Sequence, residues 1–246
     1  MSSQFELIYW PGFPGRGEHI RLLLEEAAVP YKDYGLDPDA AVAEVTELIG
    51  SNNFGDAFNP ASFAPPFLKH GDIFLSQMPN ILMYLANTLQ LAPLNNLWHI
   101  NQLAMTALDG LSNEAHDIHH PISVSLYYED QKDEALLKAK YYREERLPKF
   151  LSYFERVLQG PKSGVGPWLY NGKITYADLV LFQCIDGLKY SLPKTMAKLE
   201  ASEKYSSVFK LYEAVKQRPN IQAYLGSKRR QNYSKGIYRH YPELDD

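Results

Sequence analysis

The apolar residues of this chain change rhythm near residue 90, and that change limits the possible folds more than any other feature. Before it, short runs of branched and aromatic residues alternate with helical spacing; after it, the apolar pattern keeps helical period. Phe5 to Trp10 reads as a strand stopped by Pro11-Gly12. Ile20, Leu23, Leu24 and Ala27, spaced i, i+3, i+4, i+7, predict a helix. A short strand over Tyr31 to Tyr34 and a helix over Ala40 to Ile49 follow, with Gly50 as the stop. Ser51 to Pro65 is a loop rich in Asn, Pro, Ser and Phe. Phe67-Leu68 and Ile73-Phe74-Leu75 flank Lys69-His70-Gly71-Asp72 as a hairpin. Ile81, Leu82, Leu85 and Leu89 give a last helix before the linker Gln90 to Asn96. The order is β-α-β-α-β-β-α, followed by an all-helical part.

In that second part the clearest helix carries Leu147, Phe150, Leu151, Phe154, Val157 and Leu158. Pro148 lies inside the pattern without an amide donor, so it must kink the helix or start a new one. Thr175-Tyr176-Ala177-Asp178 ahead of an apolar run is a capping box, with Ile174 at the staple position. A polar, Tyr-rich tail runs from Gly226 to Asp246. The domains read as 1–88, 97–225 and a tail over 226–246.

Composition narrows the functional classes. A net charge of -4 carries no signature of nucleic-acid binding. One cysteine, Cys184, rules out an intrachain disulfide, a CxxC redox pair and a cysteine zinc cluster, and fits a reducing compartment. No apolar run approaches the ~20 residues of a membrane span. Met1-Ser2-Ser3-Gln4 leads into a strand without the basic and apolar regions of a secretion signal, so the cytoplasm is expected.

Five segments, in order, resemble the glutathione transferase family, nearest its tyrosine-type sigma, alpha, mu and pi classes. They are LIYWPGFPGRGEHIRLLLEE from Leu7, PPFLKHGDIFLSQMPNILMYLA from Pro65, RLPKFLSYFERVL, ITYADLVLFQ and RPNIQAYL. The resemblance implies a thioredoxin-like α/β N-terminal domain that binds glutathione and an all-α C-terminal bundle that supplies an apolar pocket. It also implies a homodimer, and neither a metal, a nucleic-acid partner nor a membrane.

Such an enzyme must hold a tripeptide anion and lower the pKa of its thiol, which one donor aimed at sulfur achieves. Tyr9 matches the family's catalytic tyrosine; its alternative is an aromatic filling the sheet–helix interface. Tyr rather than Cys or Ser there argues against the thiol-exchange classes and a glutathione-dependent reductase. Arg16 matches an arginine that contacts the glutathione site, or else pairs with Glu18 or Glu26. The loop Pro11 to Gly15 is about two residues longer than the family pattern. Trp10, Phe13 and His116 are expected in the co-substrate pocket, Phe13 alternatively at a solvent-facing tip.

Pro66 matches the family's cis-proline, but Pro65 before it has no N–H to offer glutathione. Gln77 and Met78 match a Gln-Ser pair at a helix start, where the γ-glutamyl carboxylate meets backbone amides. Met78 replaces the serine; its amide can still bind, while its side chain is either at the site or in the core. Asp109 matches an acid that reaches the partner subunit's glutathione, or is a solvated helix residue. His116, His119 and His120, at i, i+3, i+4, suit the cleft or a helix end better than a metal. The leading expectation is an enzyme that conjugates or isomerises small hydrophobic electrophiles in detoxification. The rival is a non-catalytic binding protein with a weakened glutathione site.

Overall fold

The computed structural model describes residues 4–246, the side chain of Leu94 excepted. Its first part runs β1 (Phe5–Ile8), α1 (Gly17–Glu26), β2 (Tyr31–Asp33), α2 (Pro38–Leu48), β3 (Phe67–His70), β4 (Ile73–Ser76) and α3 (Met78–Thr88). This is the order read from the sequence. The four strands form one sheet in the order β2-β1-β3-β4. β1 pairs with β2 in parallel, while β1–β3 and β3–β4 are antiparallel. These are the strand order and senses of the thioredoxin-like architecture.

β1 stops at Ile8, two residues before the sequence boundary. Ile8 pairs with Phe67, and the next residue of the partner strand, Pro66, has no N–H with which to extend the ladder. α2 begins at Pro38 rather than Ala40, because Asp37 caps it by accepting from the Ala40 amide at 3.2 Å. The sheet and helices close over a core that includes Leu7, Ile8, Ile20, Leu23, Val45, Phe67, Ile81, Leu82 and Leu85, all buried.

The second part is helical. α4 (Leu97–Ala107) passes through a π-helical turn, Leu108–Asn113, into α5 (Glu114–Asp117). α6 (Lys132–Tyr141) passes through a second π turn, Tyr142–Arg146, into α7 (Leu147–Gln159). Pro148 thus lies in the first turn of α7, as one of its two expected placements had it. The wider turn before it shifts the hydrogen-bond register where the proline lacks a donor. Tyr142 Oη donates to the Gly110 carbonyl of the first π turn at 3.0 Å. α8 (Tyr176–Ser191), α9 (Pro193–Ala201), α10 (Ser206–Lys216) and α11 (Pro219–Leu225) complete the set.

The expected capping box opens α8. Asp178 accepts from the Thr175 amide at 2.7 Å and hydroxyl at 2.8 Å, and from the Leu169 amide at 2.8 Å. Burial pushes the Asp178 carboxyl up to about 6, against the pull of these donors.

The chain divides into two compact units. One holds the residues up to Leu97 together with Arg218–Asn232, so α11 belongs with the sheet; the other holds Trp98–Gln217 and Tyr233–Asp246. Within the second unit the polar tail carries apolar anchors: Ile237, Tyr238 and Leu244 are buried. Asp245 caps α9 by accepting from the Lys194 and Thr195 amides at 2.6 and 3.0 Å. Among the described residues no helix is long and apolar enough to cross a membrane.

Candidate active site

The register of the sheet gathers three of the expected site positions at one edge. Ile8 pairs with Phe67, and Phe67 with Ser76. Tyr9, Pro66 and Gln77, each one step beyond those pairs, thus leave β1, β3 and β4 at the same end. Ligands of open α/β sheets collect at such an edge.

Tyr9 is 5% exposed. Its hydroxyl accepts a hydrogen bond from the Arg16 amide at 3.0 Å. The loop between them closes tightly on the ring. A β-carbon on Gly15 would lie 2.5 Å from the Tyr9 hydroxyl, and one on Gly17 2.8 Å from the ring. Gly15 also has φ +51°, which glycine adopts without penalty. Burial pushes the Tyr9 phenol above its ordinary pKa, opposed by the Arg16 amide and by the charges of Arg16 and Arg21. At neutral pH the phenol keeps its proton. Its oxygen accepts from Arg16 and its O–H remains a donor, which is the form that stabilises a thiolate.

The peptide bond between Pro65 and Pro66 is cis. Pro65 brings a carbonyl to the site and no amide hydrogen. Gln77 precedes α3 with φ 67° and ψ 106°, a region costly for a residue with a side chain. Its side chain is exposed and makes no cap on α3, so the helix's first amides are not closed off by it. Met78, the first residue of α3, is only 4% exposed. Of its two expected placements the side chain takes the core, and only its backbone amide is positioned at the helix start.

Trp10 is half-buried against the Ile8, Val45 and Phe67 cluster. Phe13 packs edge-on to Tyr9, with ring centroids 6.0 Å apart. The carboxylates suggested as Arg16 partners have other cations: Glu18 pairs with Arg21 and Arg230, Glu26 with Arg218. Asp109 and His116 belong to the second unit. Asp109 is exposed on the first π turn and His116 is half-buried. The rings of His116, His119 and His120 cluster at 4.5 to 5.2 Å between centroids. His119 Nε2 meets the Ile237 carbonyl at 2.9 Å, and burial pushes its pKa down to about 3. Among the described residues no group of three or more His, Cys, Asp or Glu is arranged to hold a metal ion.

The comparisons with known proteins bear on this edge of the sheet and on the helices beyond it. The glutathione S-transferase C-terminal domain family matches residues 116–228. A glutathione S-transferase of Plasmodium falciparum is 23% identical over 232 residues, spanning 92% of this chain and 98% of the relative. Glutathione S-transferase P of Caenorhabditis elegans is 28% identical over 216 residues, 87% of this chain and 88% of its own.

Over most of its length the chain is similar to glutathione S-transferases, and residues 116–228 match that family's C-terminal domain. A solved glutathione S-transferase of C. elegans shares the fold with a TM-score of 0.66, at 20% identity, over 93% of this chain and 99% of that one.

One element of this site was missed in the sequence. Arg21 is fully buried and binds Asp33 through Nε at 2.6 Å and Nη2 at 3.3 Å, and Glu18 through Nη1 at 3.3 Å. Nη1 also donates to the carbonyl of Pro14, in the loop that holds Tyr9, at 3.1 Å. Burial works against the charge of Arg21, but Asp33 and Glu18 outweigh it and raise the guanidinium pKa. The signal lay in the glutamate and arginine three apart within a helix whose residues are nearly all buried.

Proposed function

We propose that this protein is a glutathione transferase in which Tyr9 activates the thiol of bound glutathione. The observation that carries the reading is the Tyr9 hydroxyl: oriented by the Arg16 amide, buried, and protonated at neutral pH. Glutathione would lie along the sheet edge. The Pro65 carbonyl and Pro66 would face its cysteinyl part, Arg16 would contact the tripeptide, and Gln77 with the amide of Met78 would take the γ-glutamyl carboxylate. There the α3 dipole favours an anion.

The Tyr9 O–H donates to the sulfur, so the thiol loses its proton to solvent near neutral pH. The thiolate then attacks the electrophilic carbon; a carbon–sulfur bond forms as the leaving group departs with its electron pair. In an isomerisation the sulfur would add and leave again. Trp10 and Phe13 are assigned to the apolar co-substrate pocket. We assign the protein to the cytoplasm and to a homodimer in which Asp109 serves the partner's glutathione. Phe54, Phe58 and Phe63 offer apolar surface for pairing at 85 to 87% exposure.

Replacing Tyr9 by Phe should cut turnover with an activated aryl halide at least about tenfold at neutral pH, with the melting point nearly unchanged. Wild-type turnover in the variant would remove Tyr9 from its role. Two observations favour a second reading, a non-catalytic ligand-binding protein. Pro65 cannot donate to the cysteinyl group, and Met78 gives its side chain to the core rather than a hydroxyl to the carboxylate. Calorimetric titration with glutathione separates the two, since the binding protein would show no affinity above background.

A further inference from the structure

Arg21 is joined to a second layer of contacts. The Glu18 carboxylate that faces Arg21 with one oxygen uses the other for two residues from the far end of the chain. Glu18 Oε1 accepts from the Tyr224 hydroxyl at 2.8 Å and pairs with Arg230. Both Glu18 and Arg21 have no solvent exposure, and Arg230 is nearly covered. The same stretch grips α1 elsewhere. Arg229 binds Glu25 through Nε at 3.0 Å and Nη2 at 2.8 Å, and Arg218 Nε donates to Glu26 at 2.6 Å. Asn220 closes the end of the helix by donating to the Glu26 carbonyl at 3.0 Å.

We propose that Tyr224 and Arg230, on the segment 218–231, form a positioning clamp for the reactive loop, acting through Glu18 and Arg21 on the Pro14 carbonyl, with Arg230 as its positioning residue. The proposal rests, for its catalytic half, on the reading of Tyr9 as the thiol-activating donor.

Charge arithmetic explains why Arg230 matters. Two buried carboxylates, Glu18 and Asp33, face two guanidiniums, Arg21 and Arg230. Without Arg230 the carboxylates outnumber the cation, and Arg21 alone must serve both. A buried anion left short of its partner recruits the nearest donor. Tyr224 already donates to Glu18, so the charged donor left to draw on is Arg21 Nη1, which also holds the Pro14 carbonyl. Pulling it toward Glu18 weakens the hold on Pro14, whose neighbours Gly15, Arg16 and Gly17 enclose the Tyr9 ring. Arg218, on the same segment, pairs with Glu26 at the other end of α1, so it is the internal control.

The test uses the full-length protein as Arg230→Met, Arg230→Lys, Tyr224→Phe and Arg218→Met. Hydrogen exchange over residues 12–17 reads the loop without any ligand. Exchange there should quicken about tenfold in Arg230→Met and stay near wild type in Arg218→Met. Tyr224→Phe, which removes one hydroxyl and keeps the ion pair, should fold readily and show the same change at about threefold. Turnover with glutathione and an aryl halide then reads the chemistry. Arg230→Met should lower kcat at neutral pH by about three- to tenfold and move the pH profile to the alkaline side, with KM for glutathione within about twofold. Arg230→Lys, which keeps the charge, should recover most of both. Equal exchange in Arg230→Met and Arg218→Met would overturn the clamp, and faster exchange with an unmoved pH profile would overturn its catalytic role. A wild-type protein without turnover would refute the enzymatic reading alone, while the exchange result still decides the clamp.

Discussion

Two loops of the first unit have nearly the same ingredients and opposite behaviour. The loop over residues 10–16 and the one over residues 51–65 both carry two prolines, with glycine and phenylalanine beside them. The first wraps Tyr9 so closely that Gly15 leaves no room for a β-carbon, and a buried arginine holds one of its carbonyls. The second is held largely by itself. Asp56 accepts from the Phe58 and Asn59 amides at 2.7 and 2.8 Å, Asn59 reaches the Asp72 carbonyl, and three phenylalanines face solvent. What separates them is an anchor outside the loop: a buried guanidinium, held by two carboxylates, that also donates to a loop carbonyl. Composition sets how a loop can turn, but the anchor decides whether it is part of the core.

The contrast fails most plainly if Arg21 is dispensable. Arg21→Met strands Glu18 and Asp33 in the interior and should cost about 3–5 kcal/mol in denaturant unfolding. A loss below about 1 kcal/mol, the range of surface ion pairs, would make the two loops equivalent.

Acid should sharpen the contrast. His19, on α1 three residues after Arg16, is fully buried, and burial together with the charges of Arg16 and Arg230 pushes its pKa down to about 3. Below its ordinary value of 6.5 the unfolded chain takes up a proton that the folded chain refuses. The stability is therefore complete above pH 6.5 and is lost as the pH falls toward 3, by on the order of 3 kcal/mol at pH 4. Asp56 is shifted the other way: hydrogen bonds from the Asn59 side chain and the Phe58 and Asn59 amides lower its pKa and keep it ionised. At pH 4 to 5 the packed region should lose exchange protection before the exposed loop changes. His19→Leu should flatten the fall of melting point between pH 7 and 4; an unchanged slope would mean that His19 titrates normally.

The smallest effect on stability belongs to the exposed loop. Phe54, Phe58 and Phe63 changed together to Ser should leave monomer stability within about 0.5 kcal/mol. They should nevertheless shift the sedimenting species to 28.1 kDa, the single-chain mass, if this surface pairs two copies. A wild-type protein that already sediments at that mass would withdraw the homodimer and the role given to Asp109.

How much of this was readable beforehand follows from the range of each interaction. The order of strands and helices was legible because each element announces itself within a few residues, by period and by punctuation. The capping box at Thr175 and Asp178 was legible for the same reason, as a local pattern at an element end, whereas Tyr9 and Gln77 were singled out through the family resemblance. The partners of Arg21 were not, because Glu18 meets Arg230 and Tyr224 only once opposite ends of the chain are folded together. The π turns were hidden too: a wider turn is a change in hydrogen-bond register, and Pro148 signalled only that some accommodation was needed. Met78 stood between two placements because its backbone and side chain do different things, and only burial distinguishes them.

Gln77 holds a backbone angle that glycine would adopt freely, at the edge where glutathione is proposed to bind. Glycine there would relieve the local strain of the folded chain but would withdraw the amide side chain from the sheet edge. Durability and recognition therefore make opposite demands on a single residue, and repeated selection for heat tolerance alone would tend to erode the ligand site from this position.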